Sequence, residues 1–536
     1  MSESPSAYVD IKVARSGFYR GFNRTIAIVP KLLIGSFLLW AILDQDKAAD
    51  LLDAANAWSI DNFGGWYIWV TAFYVSVCLL LALWPTTGRV KLGQPDEKPE
   101  FSRFSWFSMM FGAGIGVGML TYATAEPIFH FAANPDTIQG LSNSLQADNV
   151  RNAYKWAFLH YGLTPWACYG IVGMSMGYFA YNRGLPLTIR TPLQPLFGSR
   201  ISSGPFGHMI DVVAILATII GVAVTIGYGV SQFASGVFNI TGFEWLLNDA
   251  EKPSIYGRLT ALAIVIGAST WSAATGVEKG IKWLSNLNMG LSIFLLTFFI
   301  LFGASTFAIK TYFVGIWDYL VALPSMSVTV WDAGAGETSK ALADWQAGWT
   351  IFYWAWWIAF APFVGLFLAR VSRGRSIREY VFGAMIVSSL MCFVWFALAG
   401  GTAIDLELKG IADRSIVDAN ISAQLFQTIN LMLSPELAVA MSVIIVILLL
   451  TYLVTSADSA ILIINTIASA GDQSRKHTRH IVIWGCIYAS VIGTLLVIGG
   501  MDALRSAMLV GALPFSFVMA LMAIGLLKSI VIDKHR

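Results

Sequence analysis

The chain has 536 residues, 56% apolar and only 12% charged, with a formal net charge of +2. Soluble domains run at about 45–50% apolar and about 25% charged, so a water-facing globule, and with it a soluble enzyme, is excluded. Its 34 basic and 32 acidic residues are spread over many short segments, which leaves no block basic enough for nucleic acid.

Residues 1–24 are polar and carry Lys12, Arg15, Arg20 and Arg24, without the apolar core and small-residue cleavage site of a signal peptide. From there on, apolar runs recur that are long enough to cross about 30 Å of hydrocarbon as helices. About twelve are predicted, near 25–43, 66–85, 104–124, 153–181, 208–238, 257–275, 288–309, 346–369, 377–402, 437–469, 479–500 and 505–530. Two of them, 208–238 and 437–469, exceed one crossing and predict a tilt or a break. The predicted fold class is an all-α polytopic membrane protein.

Charge sets the expected orientation. Arg89, Lys91, Lys98 and Arg103 fall on one side, with Arg183, Arg190 and Arg200, Lys279 and Lys282, the cluster Arg370, Arg373, Arg375 and Arg378, and Arg475, Lys476 and Arg479. The alternate segments are acidic or mixed, with Asp44, Asp46, Asp50, Asp53 and Asp61 after the first span and Asp405, Glu407, Asp413 and Asp418 after the ninth. The positive-inside bias then puts both termini in the cytoplasm, in agreement with an even span number. The loops near 310–345 and 403–436 are long enough only for short interfacial helices, and 416–432 has helical periodicity. There is no GxxxxGK[ST] sequence, so nothing supports direct drive by ATP. Cys78, Cys168, Cys392 and Cys486 sit singly inside apolar runs and read as small buried hydrophobes.

Three stretches carry chemistry. The first is Phe111-Gly-Ala-Gly-Ile-Gly-Val-Gly-Met119, with glycines at 112, 114, 116 and 118. Each costs a helix about 1 kcal/mol relative to alanine, so the third span is easy to unwind. Freed N–H and C=O groups at membrane depth are tolerated where a wet cavity satisfies them, and discontinuous helices use them to bind carboxylates and cations. Close helix packing through small residues is the alternative. The second is Tyr353-Trp-Ala-Trp-Trp-Ile-Ala-Phe-Ala-Pro362, which places Trp354 with Trp357 and Trp356 with Phe360 at helical spacing; the fourth span adds Tyr161, Trp166 and Tyr169. An interfacial belt is the ordinary role of such rings, but these lie well inside their spans. Aromatic faces that surround a quaternary ammonium group attract it by about 0.5–2 kcal/mol per face.

The third stretch is Thr455-Ser-Ala-Asp-Ser459 in the tenth span. Asp458 within a span is a functional suspect, and the Thr455 and Ser456 hydroxyls suit a small hard cation, unless they only bond back to their own helix. His160 neighbours Tyr161 and reads as a satisfied core histidine, while His130 and His208 fall at span edges and His477, His480 and His535 in cytoplasmic segments.

Together FYWAWWIAFAPFVGLFLARVSRGRSIREYV (Phe352–Val381), FGAGIGVGMLTYATAEP (Phe111–Pro127) and TYLVTSADSA (Thr451–Ala460) resemble the betaine/choline/carnitine transporter family, over nearly the whole chain. The resemblance implies a LeuT-like arrangement in the plasma (inner) membrane: a cytoplasmic tail 1–24, a two-helix prefix 25–103, and two inverted five-helix repeats, 104–313 and 346–530. An extracellular segment 314–345 lies between the repeats, and 531–536 is a short cytoplasmic tail. It also implies a homotrimer. Trp166, Tyr169 and Trp357 match the family's aromatic box, with Tyr161 where a fourth tryptophan is common and Phe360 where the signature has another, and Trp356 lines the inner route. A sodium site is implied at the carbonyls of Gly112, Ala113, Ile115 and Tyr452 with the Thr455 and Ser456 hydroxyls. A second has Thr218 and Phe363, but Val222 replaces a hydroxyl.

The expected function is import of a small zwitterionic onium compound, glycine betaine or dimethylsulfoniopropionate, by sodium-coupled alternating access. The substrate-binding set is Tyr161, Trp166, Tyr169, Trp354, Trp356, Trp357 and Phe360 for the onium head, with Gly114, Gly116 and Gly118 of the unwound span holding the carboxylate. No acid stands beside Gly118 to serve a bare cation, which favours a zwitterion over choline. No cofactor beyond the coupling sodium ion is expected, and the other partners are the bilayer and copies of the chain. The alternatives are a sodium-independent carnitine or betaine exchanger, proton-coupled choline uptake, and a solute channel. A membrane enzyme built on His160 or Asp458 lacks a paired catalytic constellation in the sequence.

Overall fold

The computed structural model describes residues 9–534 except 115, 276–277, 335, 473 and 475–477, with backbone alone at 111–114, 275, 278–282 and 532–534. Among the described residues the architecture is all helix and turn, with three isolated bridge pairs and no strand. That is what a bilayer demands, because a helix satisfies its own backbone groups.

Two helices lead, α1 (Arg24–Leu43) and α2 (Gln45–Leu83). The predicted third span is two helices, α3 (Arg103–Gly114) and α4 (Val117–Ala132), and the fourth is likewise α5 (Val150–Tyr161) and α6 (Leu163–Gly177). The long helix α7 (Pro205–Thr241) follows, then α8 (Ile255–Thr275), α9 (Glu278–Phe302) and α10 (Ser305–Met326). After α11 (Glu337–Val371) and α12 (Ile377–Leu408) come α13 (Gln424–Met432), α14 (Pro435–Ala468) and α15 (Thr478–Lys534), the last kinked at Gly500 (φ 64°, ψ −140°). Eight of the described helices are long and apolar enough to cross a membrane, so this is a multi-pass membrane protein.

Several expectations change. The runs 208–238 and 437–469 lie on helices of 37 and 34 residues without a break, which removes the broken-helix alternative. The region after the seventh span holds a 22-residue helix, α10, which runs through position 313 and displays Phe313, Trp317 and Val321 outward. Cys486 is exposed, because it faces outward from α15 beside Trp271 of α8; the other three cysteines are buried. His130 lies in the last turn of α4, at a helix end as expected, and is wholly buried there.

The part of α11 from Thr350 to Ala369 is buried almost throughout, whereas α1 turns Leu32, Leu33, Leu39, Ile42 and Leu43 outward. Lipid gives apolar helices no reason to associate, so close approach through small residues takes over. A Cβ at Gly221 of α7 would stand 2.8 Å from the Ala359 carbonyl carbon of α11, which brings those two backbones together. Two basic segments meet at one end: the Leu92 N–H donates to the Arg375 carbonyl and the Gly374 N–H to the Leu92 carbonyl, both at 2.8 Å. There too the Arg190 guanidinium pairs with Asp211 at 2.8 Å, both wholly buried. Arg475, Lys476, His477 and His535 lie outside the described residues, as do the side chains of Lys279 and Lys282.

Candidate substrate and ion site

Three helix irregularities build the site. α3 ends at Gly114 and α4 begins at Val117, with Gly116 before it in a non-helical conformation (φ −151°, ψ −134°). On α7, Gln232 secures the restart: its amide nitrogen Nε2 donates to the Leu120 carbonyl at 3.0 Å and its Oε1 accepts from the Thr121 hydroxyl at 2.8 Å. Gly162 separates α5 from α6, packed so tightly against the Phe158 carbonyl and Tyr319 that a side chain has no room. In α11 a wide π turn at Ala347–Ile351 adds a residue to the helical turn just before the aromatic run.

These features bring rings from three helices together. The Trp357 ring stands 5.3 Å from Tyr161 and 6.2 Å from Tyr169, in both cases edge-on. Tyr169 in turn meets Trp166 at 5.7 Å and Phe360 at 6.4 Å. Trp356 stacks on Trp357 at 5.2 Å with planes 7° apart. Both indoles are fixed by their N–H groups, Trp357 to the His160 carbonyl at 3.0 Å and Trp356 to the Thr225 hydroxyl at 3.1 Å. Trp354, the second residue of the same run, points elsewhere: it is buried with its ring contact on His160 at 5.9 Å.

The helix break lies against this cage. A Cβ at Gly118 would be 3.5 Å from the Trp356 ring and 3.9 Å from the Tyr161 hydroxyl. At Gly116 it would be 3.7 Å from the Tyr452 ring and 3.9 Å from Ser456 Oγ. The break therefore touches the cage on one side and α14 on the other. Ile115 lies outside the described residues, and Gly112, Ala113 and Gly114 form the end of α3. The Thr455 hydroxyl donates to the Thr451 and Tyr452 carbonyls at 2.9 and 3.1 Å and accepts from Asn288 Nδ2 at 3.3 Å. Back-bonding to its own helix is thus present, and it occupies the Tyr452 carbonyl that the ion site would use. Thr218 bonds back to Ala214 at 2.7 Å, while Phe363 meets Phe360 at 5.0 Å. They flank the Gly221–Ala359 contact on α7 and α11.

A cluster beside the cage went unread in the sequence. Glu126 of α4 is wholly buried with both oxygens engaged: Oε2 accepts from the Tyr353 hydroxyl at 2.5 Å, and Oε1 lies 2.6 Å from His160 Nδ1 and 3.3 Å from His130 Nε2. The three groups converge within 4.8 Å, but their short contacts are hydrogen-bond pairs that an ion would have to break. His160 Nε2 meets the Thr350 hydroxyl at 3.0 Å, which makes it the satisfied core histidine expected. Positions 126, 130, 160 and 353 lie on three helices, so no local spacing joins them, although Glu126 and Tyr353 fall inside quoted motifs.

The betaine/carnitine/choline family transporter model matches residues 25–535. The chain belongs to that family. It is 35% identical over 493 residues to the glycine betaine transporter OpuD of Bacillus subtilis, covering 92% of this chain and 91% of that one. A glycine betaine transporter of Acinetobacter baylyi is 33% identical, with 97% and 75% covered. The high-affinity choline transport protein of Escherichia coli is 34% identical, with 94% and 71% covered. As a member of this transporter family the protein is not an enzyme.

Proposed function

We propose that this family member imports a small zwitterionic onium compound, glycine betaine or dimethylsulfoniopropionate, by sodium-coupled alternating access. The observation that carries the reading is the meeting of Tyr161, Trp166, Tyr169, Trp357 and Phe360 beside the broken helix at Gly116. Aromatic faces suit the cationic head. The N–H groups freed where α4 begins suit the carboxylate, since a helix N-terminus favours negative charge. Similarity to two transporters named for glycine betaine supports an onium substrate of this kind, and the absence of an acid beside Gly118 favours the zwitterion over bare choline.

In this reading twelve spans are arranged as a two-helix prefix and inverted repeats over 104–313 and 346–530, with both termini cytoplasmic and three copies assembled. Sodium bridges the third and tenth spans, at the carbonyls of Gly112, Ala113, Ile115 and Tyr452 and the hydroxyls of Thr455 and Ser456. The approach of Gly116 to Ser456 supports that placement; the back-bonded Thr455 must release a carbonyl for the ion to enter.

The test is uptake of labelled glycine betaine into proteoliposomes with and without an inward sodium gradient, with dimethylsulfoniopropionate, carnitine, choline or proline as competitors. Saturable, gradient-driven accumulation supports the symporter, and the strongest competitor names the substrate. Uptake only into preloaded vesicles, indifferent to sodium, means an exchanger; flux without saturation means a channel. Trp357→Ala is expected to weaken apparent affinity about tenfold or more, through loss of a ring face and of the edge-on packing of Tyr161 and Tyr169. Unchanged affinity removes the cage from the account.

A further inference from the structure

The hydrogen bonds around Glu126 fix more than a shape. His160 Nε2 lies 3.0 Å from the Thr350 hydroxyl, and in the tautomer in which that hydroxyl donates, the imidazole proton resides on Nδ1. That proton points at Glu126 Oε1, 2.6 Å away. The Tyr353 hydroxyl donates to Oε2, and His130 presents Nε2 to Oε1 while its Nδ1 is a buried atom without a partner, as befits a bare lone pair. Each proton in this assignment is directed at the carboxyl group. A carboxylate that accepts such a set is stabilised as the anion, and burial opposes that charge unless a cation stands near.

The cage is where that cation sits. Tyr353 stacks on Trp357 at 5.5 Å and on Trp356 at 6.1 Å, and its edge meets Tyr161 at 5.3 Å. A phenol that donates to a carboxylate gains electron density in its ring, which strengthens the ring's attraction for a cation. Arg505 of α15 is the fixed positive charge of the neighbourhood, but its guanidinium is engaged over the Phe352 ring at 4.3 Å and with the Gly348 carbonyl at 2.8 Å. Asp211 and Asp458, the other acids buried in spans, bond to Arg190 and to Ser272, away from these rings.

We propose that Glu126 is the buried counter-charge of the onium cage, held as a carboxylate by His160, His130 and Tyr353 and coupled to the cation through Tyr353. The inference rests on the cage binding an onium head, and it adds the residue that makes the cage prefer a charged head over a neutral one of the same shape. Glu126 is thereby a specificity determinant that touches no substrate atom itself.

The measurement compares inhibition of labelled betaine uptake by betaine and by 3,3-dimethylbutyrate, which replaces the trimethylammonium nitrogen with carbon. The wild-type protein is expected to favour betaine by roughly tenfold or more. In Glu126→Gln the preference is expected to shrink to about threefold or less, because the charge is gone, while Glu126→Asp retains it. A Gln variant that weakens both compounds equally, with the wild-type ratio preserved, assigns Glu126 to architecture and overturns the proposal. Should Glu126→Gln fail to fold, Tyr353→Phe decides: it keeps the ring, removes the donor and is expected to lower the ratio, and an unchanged ratio also overturns the proposal. A wild-type protein with no preference for betaine over the carbon analogue defeats the onium reading itself, a result distinct from either.

Discussion

Glu126 and Asp458 are both buried acids without a lysine or arginine partner among the described residues, unlike Asp211 with its Arg190, and their surroundings differ. Glu126 has both carboxyl oxygens occupied, by Tyr353, His160 and His130. Asp458 accepts one bond, from the Ser272 hydroxyl at 3.0 Å, and its Oδ1 is a buried atom without a partner. The rule that an acid inside a span is a functional suspect pointed at Asp458. The packing instead places Glu126 next to the rings that define the site. An acid's surroundings, more than its depth in a span, indicate what it does, because donors decide whether its charge survives burial.

The comparison can be broken by mutation. Glu126→Ala leaves the donors of Tyr353, His160 and His130 without an acceptor in a buried site. At about 1–3 kcal/mol each for a stranded group, a loss of roughly 3–9 kcal/mol is expected, read as a fall in the thermal unfolding midpoint in detergent and as transport near background. Gly221→Val sets side-chain atoms against the Ala359 backbone and is expected to cost about 1–3 kcal/mol by overpacking, with loss of uptake as α7 and α11 separate. A normal unfolding midpoint in that variant would show the two helices to be free to part.

Smaller effects sharpen the contrast. Asp458→Asn retains an acceptor for Ser272, so its stability should stay within about 1 kcal/mol of wild type and betaine affinity should not move. If that variant abolished transport while Glu126→Gln left it intact, the roles of the two acids would be reversed. Thr455→Ala removes a hydroxyl that mainly bonds to its own helix, so stability changes by less than about 1 kcal/mol. If the hydroxyl also binds sodium, the sodium concentration for half-maximal uptake rises several-fold; an unchanged value leaves only back-bonding.

The broad outline was legible in the sequence because its causes are local. Hydrocarbon thickness sets the length of apolar runs, and α1, α7, α11 and α14 lie on predicted spans. The alternating glycines at 112–118 predicted an easily broken helix, and it breaks between Gly114 and Val117. Spacing alone also grouped Trp354 with Trp357, but the structure turns Trp354 to His160 and leaves Trp357 among Tyr161 and Tyr169. The break at Gly162 and the wide turn at Ala347–Ile351 set those directions, and neither follows from an ideal helical repeat.

By itself the sequence determined a helical membrane protein, the weak point in its third span and the rings available to a cation. Only the tertiary structure decided which rings meet and which acid stands behind them. Positions 126, 160 and 353 belong to separate helices, and what joins them is the packing of α4, α5 and α11. Helix formation is settled by backbone hydrogen bonds and bilayer thickness within one segment. A buried charge is settled by donors that arrive from several segments at once, and no pattern along a single helix records them.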